Sequence, residues 1–424
     1  MSGWVIRGAR PLGGKPTDLY VENGEFVDSE PVGAQALDAD GLIALPGLVD
    51  LHTHLREPGR EDAETVATGS RAAALGGFTA VHAMANTDPV ADVAGVVEQV
   101  WRLGVEAGHC DVQPVGAVTV GLRGEQLAEL GAMAESAARV RVFSDDGHCV
   151  HDALLMRRAL EYVKAFDGVV AQHAQDPRLT DGAQMNEGAQ SARLGLAGWP
   201  AVAEEAVIAR DCLLAAHVGS RVHFCHVSTA GSVEIVRWAK RKGWNVTAEV
   251  TPHHLLLTDD LVSSYDPVFK VNPPLRTNED VEALREGLAD GTIDAVATDH
   301  APHALEDKET EWAAAAFGMT GLETALSVVA AAVVETGLLD WNGVADRMSV
   351  RPARIGRLSG HGQPLLPGAP ANLVLVDPVA RWTVDPSQSA SRSRNTPYAG
   401  RELPARVVAT FLRGTPTVLD GKLA

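Results

Sequence analysis

Eight short apolar segments recur through the middle of the chain, and longer alanine-rich stretches with helical spacing separate them. Short apolar runs are typical of strands buried on both faces, whereas the longer stretches favour helices. The predicted strands are 47–52, 78–84, 111–118, 140–144, 169–173, 222–226, 245–250 and 293–299. The predicted helices are 61–75, 92–106, 125–137, 152–166, 203–217, 231–241, 279–288 and 322–334.

Alternating strands and helices predict the α/β class with a parallel sheet. Eight strand–helix units favour closure into a (β/α)8 TIM barrel, which we expect to span residues 47–364. An open doubly wound sheet is the alternative that this pattern leaves open.

The two ends of the chain have a β-rich pattern that differs from the alternating strands and helices of the middle. Residues 1–46 contain short alternating strands and an Asn23-Gly24 pair typical of a hairpin turn, and residues 365–424 are again β-rich. Neither end alone has enough strands to bury a core, so we expect both to assemble into one small β-sandwich domain. The segment 386–397, rich in serine and arginine, is expected to be a surface loop.

The composition narrows the class of protein. A chain of 424 residues with 46% hydrophobic and 21% charged residues is typical of a globular protein with one barrel-sized and one smaller domain. The net charge of −19 opposes binding to nucleic acid and to anionic membranes. An anionic small-molecule substrate would need cations placed locally.

The cysteines and the N-terminus indicate the compartment. Four cysteines without CxxC or zinc-finger spacing are typical of free thiols in a reducing compartment. The first residues lack a basic start followed by a long apolar core, and the longest Ala/Val run, near 327–334, is too short to span a membrane. We therefore expect a cytoplasmic protein.

Histidine and aspartate residues close several of the predicted strands. His52 and His54 end the first one, and residues two apart on a strand point to the same face, so both imidazoles can reach one ion. A lone HxH pattern is commonly incidental. Here further candidate ligands close other strands, at the end where (β/α)8 enzymes hold their active sites; they are Asp146, His173, His226 and Asp299. Four imidazoles and two carboxylates match two divalent ions with open positions for water.

Sequence strings around these positions resemble the dihydroorotases of the amidohydrolase superfamily, in the long-chain form that is a separate enzyme. The resemblance covers nearly the whole chain. The strings are DLHTHLREPG at 50–59, ANT at 85–87, SDDG at 144–147, CHVS at 225–228, AEVTPHH at 248–254, VNPPLR at 271–276 and ATDHAPH at 297–303.

The resemblance implies two zinc ions per subunit. It assigns His52, His54 and Asp299 to one ion and His173 and His226 to the other. Many superfamily members bridge their metals with a carbamylated lysine after strand four, but no lysine lies between Lys15 and Lys164. The resemblance gives the bridging place to Asp146, with Asp145 as the alternative. Cobalt or manganese would also suit these ligand types.

The implied reaction is the reversible cyclisation of N-carbamoyl-L-aspartate to L-dihydroorotate with loss of water, a step of pyrimidine biosynthesis. Asp299 is the implied catalytic residue, since it would carry a proton between the attacking water and the ring nitrogen.

Family matching also assigns substrate contacts. Arg56 points to the same side of the chain as His54, itself a substrate neighbour, and would pair with a substrate carboxylate; a salt bridge with Glu57 or Glu61 is the alternative. The other assigned contacts are Asn86, Asn272, His303 and the backbone of Phe317 and Gly318. For Asn86 and Asn272 the alternative is turn formation.

Several neighbouring features are left open. The segment 302–318 is either a loop that closes over substrate or an exposed linker. His253 and His254 are expected to be structural, and His300 to orient Asp299. The family's usual acidic stretch after the strand-five histidine reads Ala-Gln-Asp at 174–176, a departure that can tune substrate fit.

The sequence leaves two rival functions and the possible partners to consider. A hydantoinase or allantoinase is one rival, opposed by the missing strand-four lysine and by Arg56. A scaffold partner of aspartate carbamoyltransferase is the other, and association with that enzyme is compatible with activity. We also expect a homo-oligomer.

Overall fold

The computed structural model describes residues 3–424. Its strands, in chain order, are β1 (Trp4–Pro11), β2 (Thr17–Glu22), β3 (Glu25–Val27), β4 (Gln35–Asp38), β5 (Ile43–Pro46), β6 (Leu48–Thr53), β7 (Phe78–Ala83), β8 (Asp111–Pro114), β9 (Val142–Phe143), β10 (Val169–Gln172), β11 (Met185–Asn186), β12 (Gly198–Trp199), β13 (Val222–Phe224), β14 (Val246–Val250), β15 (Ala295–Val296), β16 (Leu373–Thr383), β17 (Glu402–Leu412), β18 (Thr415–Leu419) and β19 (Lys422–Leu423).

Most of the helices follow the strands of the middle region. They are α1 (Val66–Leu75), α2 (Ala94–Ala107), α3 (Leu130–Glu135), α4 (Ala153–Val163), α5 (Ala189–Leu194), α6 (Val202–Val218), α7 (Ala230–Arg241), α8 (Asn278–Asp290), α9 (Leu305–Lys308), α10 (Ala325–Val329), α11 (Trp341–Ala345) and α12 (Arg351–Ile355). No helix within residues 3–424 is long and apolar enough to cross a bilayer.

The middle of the chain forms two larger parallel sheets, in the orders β6-β7-β8 and β15-β14-β13-β10-β9, and a two-stranded parallel sheet of β11 and β12. Two isolated parallel bridges connect the edges of the two larger sheets, from Gly116 to Phe143 and from Thr53 to His300. Strands β6 and β7 are buried at every residue, as expected for parallel strands that helices cover. The predicted α/β class is therefore confirmed.

The two ends of the chain share one sheet of nine strands. Its order is β19-β18-β17-β16-β5-β1-β2-β3, with β4 paired to β1. β16, from the C-terminal part, pairs with β5, from the N-terminal part, so neither end covers its apolar face alone. The predicted Asn23-Gly24 hairpin joins β2 and β3, and both turn residues have positive φ, as this tight turn requires.

All eight predicted strands of the middle region contain an observed strand, but several end early. His226 and Asp299 have φ values of 30° and 45°, so the chain leaves extended geometry at the residues that enter the site. The predicted helix 125–137 is helical only in α3. The helix predicted from 61 begins at Val66, because the Thr65 side chain accepts the Thr68 N–H and caps it.

The prediction of a surface loop at 386–397 is only partly right: the segment is largely irregular and Ser387, Gln388, Arg392 and Arg394 are exposed, but other residues in it are buried. Ser391 and Ser393 are 1% and 5% exposed. The buried carboxylate of Glu64 accepts hydrogen bonds from the Ser391 hydroxyl and the Arg392 N–H, and Glu323 accepts from the Ala390 N–H. Serine is common in exposed loops, but here its hydroxyls satisfy buried acids.

Candidate metal centre

The structure brings the six predicted metal ligands together. His52 lies on β6 and His54 directly after it, while the other four follow β9, β10, β13 and β15. All six are at most 5% exposed. Because the carboxyl ends of neighbouring parallel strands meet at one edge, residues far apart in sequence become neighbours here.

Asp146 is shared between two groups of imidazoles. Its Oδ1 lies 3.0 Å from His173 Nδ1 and 3.1 Å from His226 Nε2. Its Oδ2 lies 3.3 Å from His52 Nε2 and 3.4 Å from His54 Nε2. A carboxylate placed in this way has one oxygen for each of two cations.

Asp299 lies beside the imidazoles of His52 and His54. Its Oδ1 lies 3.1 Å from His54 Nε2 and 3.6 Å from His52 Nε2. His52 Nε2 is buried and makes no hydrogen bond, and His173 Nδ1 lies 2.9 Å from His226 Nε2. Convergent nitrogen atoms with few hydrogen-bond partners, beside two carboxylates, suit a divalent cation.

Asp145, the alternative bridging residue, points away from the cluster. Its carboxylate accepts hydrogen bonds from the Val118 N–H at 2.8 Å, the Thr119 N–H at 2.9 Å and the Thr119 hydroxyl at 2.5 Å. It therefore ties the loop after β8 to the loop after β9.

The site favours anionic carboxylates. Burial raises the pKa of Asp146, but the charge of His52 and hydrogen bonds from His173 outweigh burial and hold the pKa well below its usual value. Burial likewise raises the pKa of Asp299, and the His54 hydrogen bond with the His52 charge brings it well below its usual value. Deprotonated oxygens are what metal ligation requires.

Two acids on the strands hold the first histidine in place, and the sequence analysis assigned neither. Glu249 Oε1 lies 3.0 Å from His52 Nδ1, and Glu249 Oε2 lies 2.9 Å from His223 Nε2. Asp50 accepts hydrogen bonds from the His52 N–H and the Thr298 N–H. A carboxylate behind an imidazole fixes the tautomer that leaves the other nitrogen free for metal. Acidic residues inside otherwise apolar strands were the available signal.

Gln175, at the position that departs from the family pattern, connects the metal cluster to a predicted substrate contact. Its Oε1 lies 2.6 Å from His173 Nε2 and accepts from Asn272 Nδ2 at 3.2 Å. Its own amide donates to the Thr180 hydroxyl. Asn272 Oδ1 is buried with no hydrogen-bond partner, so this oxygen is open to a ligand.

The predicted carboxylate-binding residues lie around the cluster. Arg56 Nε donates to Pro302 O at 3.0 Å, and Arg56 Nη2 lies 3.5 Å from His303 Nε2. The alternative salt bridge to Glu57 or Glu61 is absent from the described residues; Glu57 accepts from the Val66 N–H and Glu61 from the Gly59 N–H instead. Burial lowers the pKa of Arg56 to about 10, which leaves the guanidinium charged at neutral pH.

Asn86 and the Phe317–Gly318 backbone are partly engaged within the protein. Asn86 Oδ1 lies 2.9 Å from His54 Nδ1, so it orients a metal-ligand candidate. Phe317 O accepts from His303 Nε2 at 2.8 Å, and the Gly318 N–H donates to Lys270 O at 2.9 Å.

The other histidines near the site, His253, His254 and His300, lie outside the candidate ligand cluster, and the side chains of two of them form hydrogen bonds within the protein. His300 Nδ1 accepts the Gly321 N–H, and its Nε2 faces Glu64, while its carbonyl accepts the His54 N–H. His254 contacts the Thr251 hydroxyl and the carbonyls of the VNPPLR string. His253 is buried, and its Nε2 lacks a partner.

Comparison with known proteins identifies the family of the chain. A family model described as Dihydro-orotase-like matches residues 41–232. A dihydroorotase of Streptomyces coelicolor is 72% identical over 100% of both chains. A dihydroorotase of Mycobacterium tuberculosis is 58% identical over 99% of each chain.

Solved structures share the fold. L-hydantoinase (dihydropyrimidinase) from Arthrobacter aurescens superposes with a TM-score of 0.89 at 25% identity, covering 100% of this chain and 98% of that one. A dihydropyrimidinase from Brevibacillus agri gives 0.84 at 22% identity, covering 100% and 96%, which is a likeness of fold alone.

The fold of L-hydantoinase, together with the buried histidine–aspartate cluster at the strand ends of this chain, defines a metal-dependent cyclic amidohydrolase. Within that class the chain belongs to the dihydroorotase family, because identities of 72% and 58% extend over essentially its whole length.

Proposed function

We propose that the chain catalyses the reversible cyclisation of N-carbamoyl-L-aspartate to L-dihydroorotate, with loss of water, in pyrimidine biosynthesis. The observation that carries the proposal is the Asp146 carboxylate, which offers one oxygen to the His52–His54 pair and the other to the His173–His226 pair. The family to which the chain belongs supports the choice of substrate.

The proposed cofactor is a pair of zinc ions. His52, His54 and Asp299 would hold one ion, His173 and His226 the other, and Asp146 both. Mixed imidazole and carboxylate ligands support zinc, and cobalt or manganese would suit them as well. Such ions lower the pKa of water toward neutrality and polarise a carbonyl.

Asp299 is the proposed catalytic residue. In the direction of hydrolysis its carboxylate takes a proton from the attacking water and gives it to the ring nitrogen that leaves. In the direction of synthesis it takes that proton back from the nitrogen. Its Oδ1 lies 3.1 Å from His54 Nε2, and this position beside the candidate metal ligands supports the assignment.

The substrate is a dianion or a monoanion, so it needs cationic and polar partners in this acidic protein. Arg56, Asn86 and His303 are the proposed partners of a substrate carboxylate, and His54 lies beside them. Asn272 and the Phe317–Gly318 backbone are the proposed contacts of the ring. The unpartnered Oδ1 of Asn272 supports its assignment.

We further propose that the parallel strands close into a (β/α)8 barrel over residues 47–364. The Gly116–Phe143 and Thr53–His300 bridges support closure, because they join β8 to β9 and the end of β15 to β6. Residues 1–46 and 365–424 would form the small β-sandwich domain, which the pairing of β5 with β16 supports.

The proposed setting is the cytoplasm, which the four unpaired cysteines support.

We also propose a homo-oligomer that can associate with aspartate carbamoyltransferase. Light scattering of the purified chain, alone and mixed with that enzyme, tests both associations.

Turnover by purified protein of measured zinc content tests the function. We expect ring opening of L-dihydroorotate and no comparable turnover of hydantoin, dihydrouracil or allantoin. Asp299→Ala should lose turnover by a factor of about 10³ or more while most of the metal stays bound. Preference for hydantoin would favour the rival amidase, and a metal-loaded chain without any turnover would favour the scaffold.

A further inference from the structure

Lys308 lies in the segment 302–318, at the end of α9, and its side chain turns inward. The residue is 8% exposed. Its Nζ donates to Lys270 O at 3.2 Å, to Ala316 O at 2.8 Å and to Gly318 O at 3.0 Å. An ammonium has three N–H donors, and these three carbonyl oxygens use all of them.

Lys270 holds the same segment from the opposite side. Its Nζ donates to Trp312 O at 2.7 Å and to Ala313 O at 3.2 Å. The same atom lies 4.5 Å from the centroid of the Phe317 ring, a distance at which cation and aromatic face attract. Each ammonium therefore binds at least one carbonyl next to or across from the other lysine: Lys270 binds two carbonyls of the segment 302–318, and Lys308 binds Lys270 O as well as two carbonyls of its own segment.

The contacts of the two lysines lie next to the residues assigned to substrate binding. Gly318 donates its N–H to Lys270 O, the carbonyl that Lys308 also contacts. Asn272 lies two residues after Lys270 along the chain. Met319 pairs with His300, so the end of the segment lies against the strand end that carries Asp299.

A buried ammonium without a carboxylate partner is costly. Within residues 3–424, neither lysine forms an ion pair at 4.0 Å or less. Burial and the charge of Lys270 lower the pKa of Lys308 to about 7, with Asp266 opposing them; His303 is a further titratable neighbour. The three hydrogen bonds from Lys308 Nζ to backbone carbonyls offset part of this cost.

We propose that Lys308 is a positioning residue that fixes the Phe317–Gly318 backbone against the metal centre and thereby sets the affinity for substrate. The inference rests on the proposed function, because that function assigns Asn272, Phe317 and Gly318 to substrate contact. Lys308 does not touch the reacting atoms, so its loss should change binding more than the chemical step.

The test is Lys308→Met in the full-length, zinc-loaded enzyme, assayed near pH 6, where the wild-type amine is mainly protonated. We expect KM for L-dihydroorotate to rise about tenfold, with kcat within about threefold of wild type. Amide hydrogen exchange should become faster over residues 312–318 and stay unchanged in β6 and β10. Lys308→Arg, which keeps a charged donor, should recover part of the KM.

Lys240→Met is the matched control. Lys240 also donates to a carbonyl oxygen, that of Gly291 at 3.1 Å, and to Asp294, but it lies at the end of α7, at the opposite ends of the strands from the cluster. Its KM should equal that of wild type. If Lys308→Met does not fold, Lys270→Met removes the opposing contacts and should raise KM in the same way.

An unchanged KM with unchanged exchange over 312–318 would overturn the proposal, and so would an equal loss of kcat and kcat/KM with faster exchange throughout the chain. Failure of the proposed function gives a different result. In that case the wild-type enzyme would not turn over L-dihydroorotate, while exchange in the two lysine variants would still report on the segment.

Discussion

Two adjacent aspartates, Asp145 and Asp146, have opposite surroundings although they share one short string. Asp146 lies among four imidazoles, whereas Asp145 accepts three hydrogen bonds from the loop after β8. The cis peptide bond between Asp146 and Gly147 lies in the same turn. Their roles are therefore separable by mutation.

The first prediction concerns this pair. Asp146→Ala should lower bound zinc from the proposed two equivalents per chain to about one or fewer, because it removes an oxygen from each group of candidate ligands. Asp145→Asn should keep the zinc but reduce the free energy of unfolding by about 1–3 kcal/mol, since buried N–H donors lose an anionic acceptor. Elemental analysis and urea unfolding measure the two effects. Loss of zinc in Asp145→Asn with retention in Asp146→Ala would reverse the assignment.

At this scale the candidate ligands were predictable because each one follows an apolar strand, and strand ends of this class meet at one edge. The partners of the ligands were not. Glu249 lies 197 residues from His52 in sequence. Their contact depends on how the strands pack, and no local sequence pattern predicts it. Gln175 appeared only as a departure from a family string, yet it contacts both His173 and Asn272.

The end of α1 approaches the segment before α10 closely at a glycine. Gly76 ends α1, and a Cβ built on it would lie 2.1 Å from the carbonyl oxygen of Leu322. Its backbone, with φ of −78°, is ordinary for any residue. The requirement for glycine is therefore one of space between α1 and the segment before α10.

The second prediction follows from this approach. Gly76→Ala should reduce the free energy of unfolding by about 1–3 kcal/mol, because backbone atoms must move apart. Gly95→Ala is the control: Gly95 lies in α2, and its added Cβ would meet nothing within 4 Å. That variant should gain about 0.5–1 kcal/mol from helix propensity. Chemical denaturation measures both, and equal effects would contradict the steric explanation.

Element positions followed from apolar spacing, but element ends did not. The strand predicted over 293–299 is regular only at Ala295–Val296, since tertiary contacts turn the following residues into the site. The serine-rich segment 386–397 has the composition of an exposed loop, and the buried acids Glu64 and Glu323, which lie elsewhere in the chain, hold its middle part through Ser391 and Ala390.

One ionic contact joins the parallel strands to the terminal sheet. Asp111, the first residue of β8, accepts hydrogen bonds from Arg413 at 2.5 and 3.0 Å, and its Oδ2 lies 2.8 Å from His361 Nε2. Burial raises the pKa of Asp111, but His361 and Arg413 outweigh it and lower the pKa to about 2. An aspartate whose pKa is lower in the folded state than in the unfolded state stabilises the fold at pH values above its unfolded pKa, which is near 3.9.

The third prediction is a pH dependence. Asp111→Asn should be less stable than wild type at pH 7, and the difference should shrink as pH falls from about 4 to about 2, where wild-type Asp111 itself becomes protonated. The side chain is 40% exposed, so solvent screening keeps the difference small. Urea midpoints across pH measure it. A difference that stays constant down to pH 2 would show that charge is not the cause.

The sequence by itself determined the α/β class, the order of the elements and five of the candidate ligands, and it left the sixth open between Asp146 and Asp145, because these depend on local periodicity and on which residues follow apolar runs. Tertiary structure alone decided which aspartate joins the cluster, which acids stand behind the histidines and which two lysines secure the segment beside Asp299. Those choices depend on distances between side chains that are remote in sequence, and only the packing of neighbouring strands and loops sets such distances.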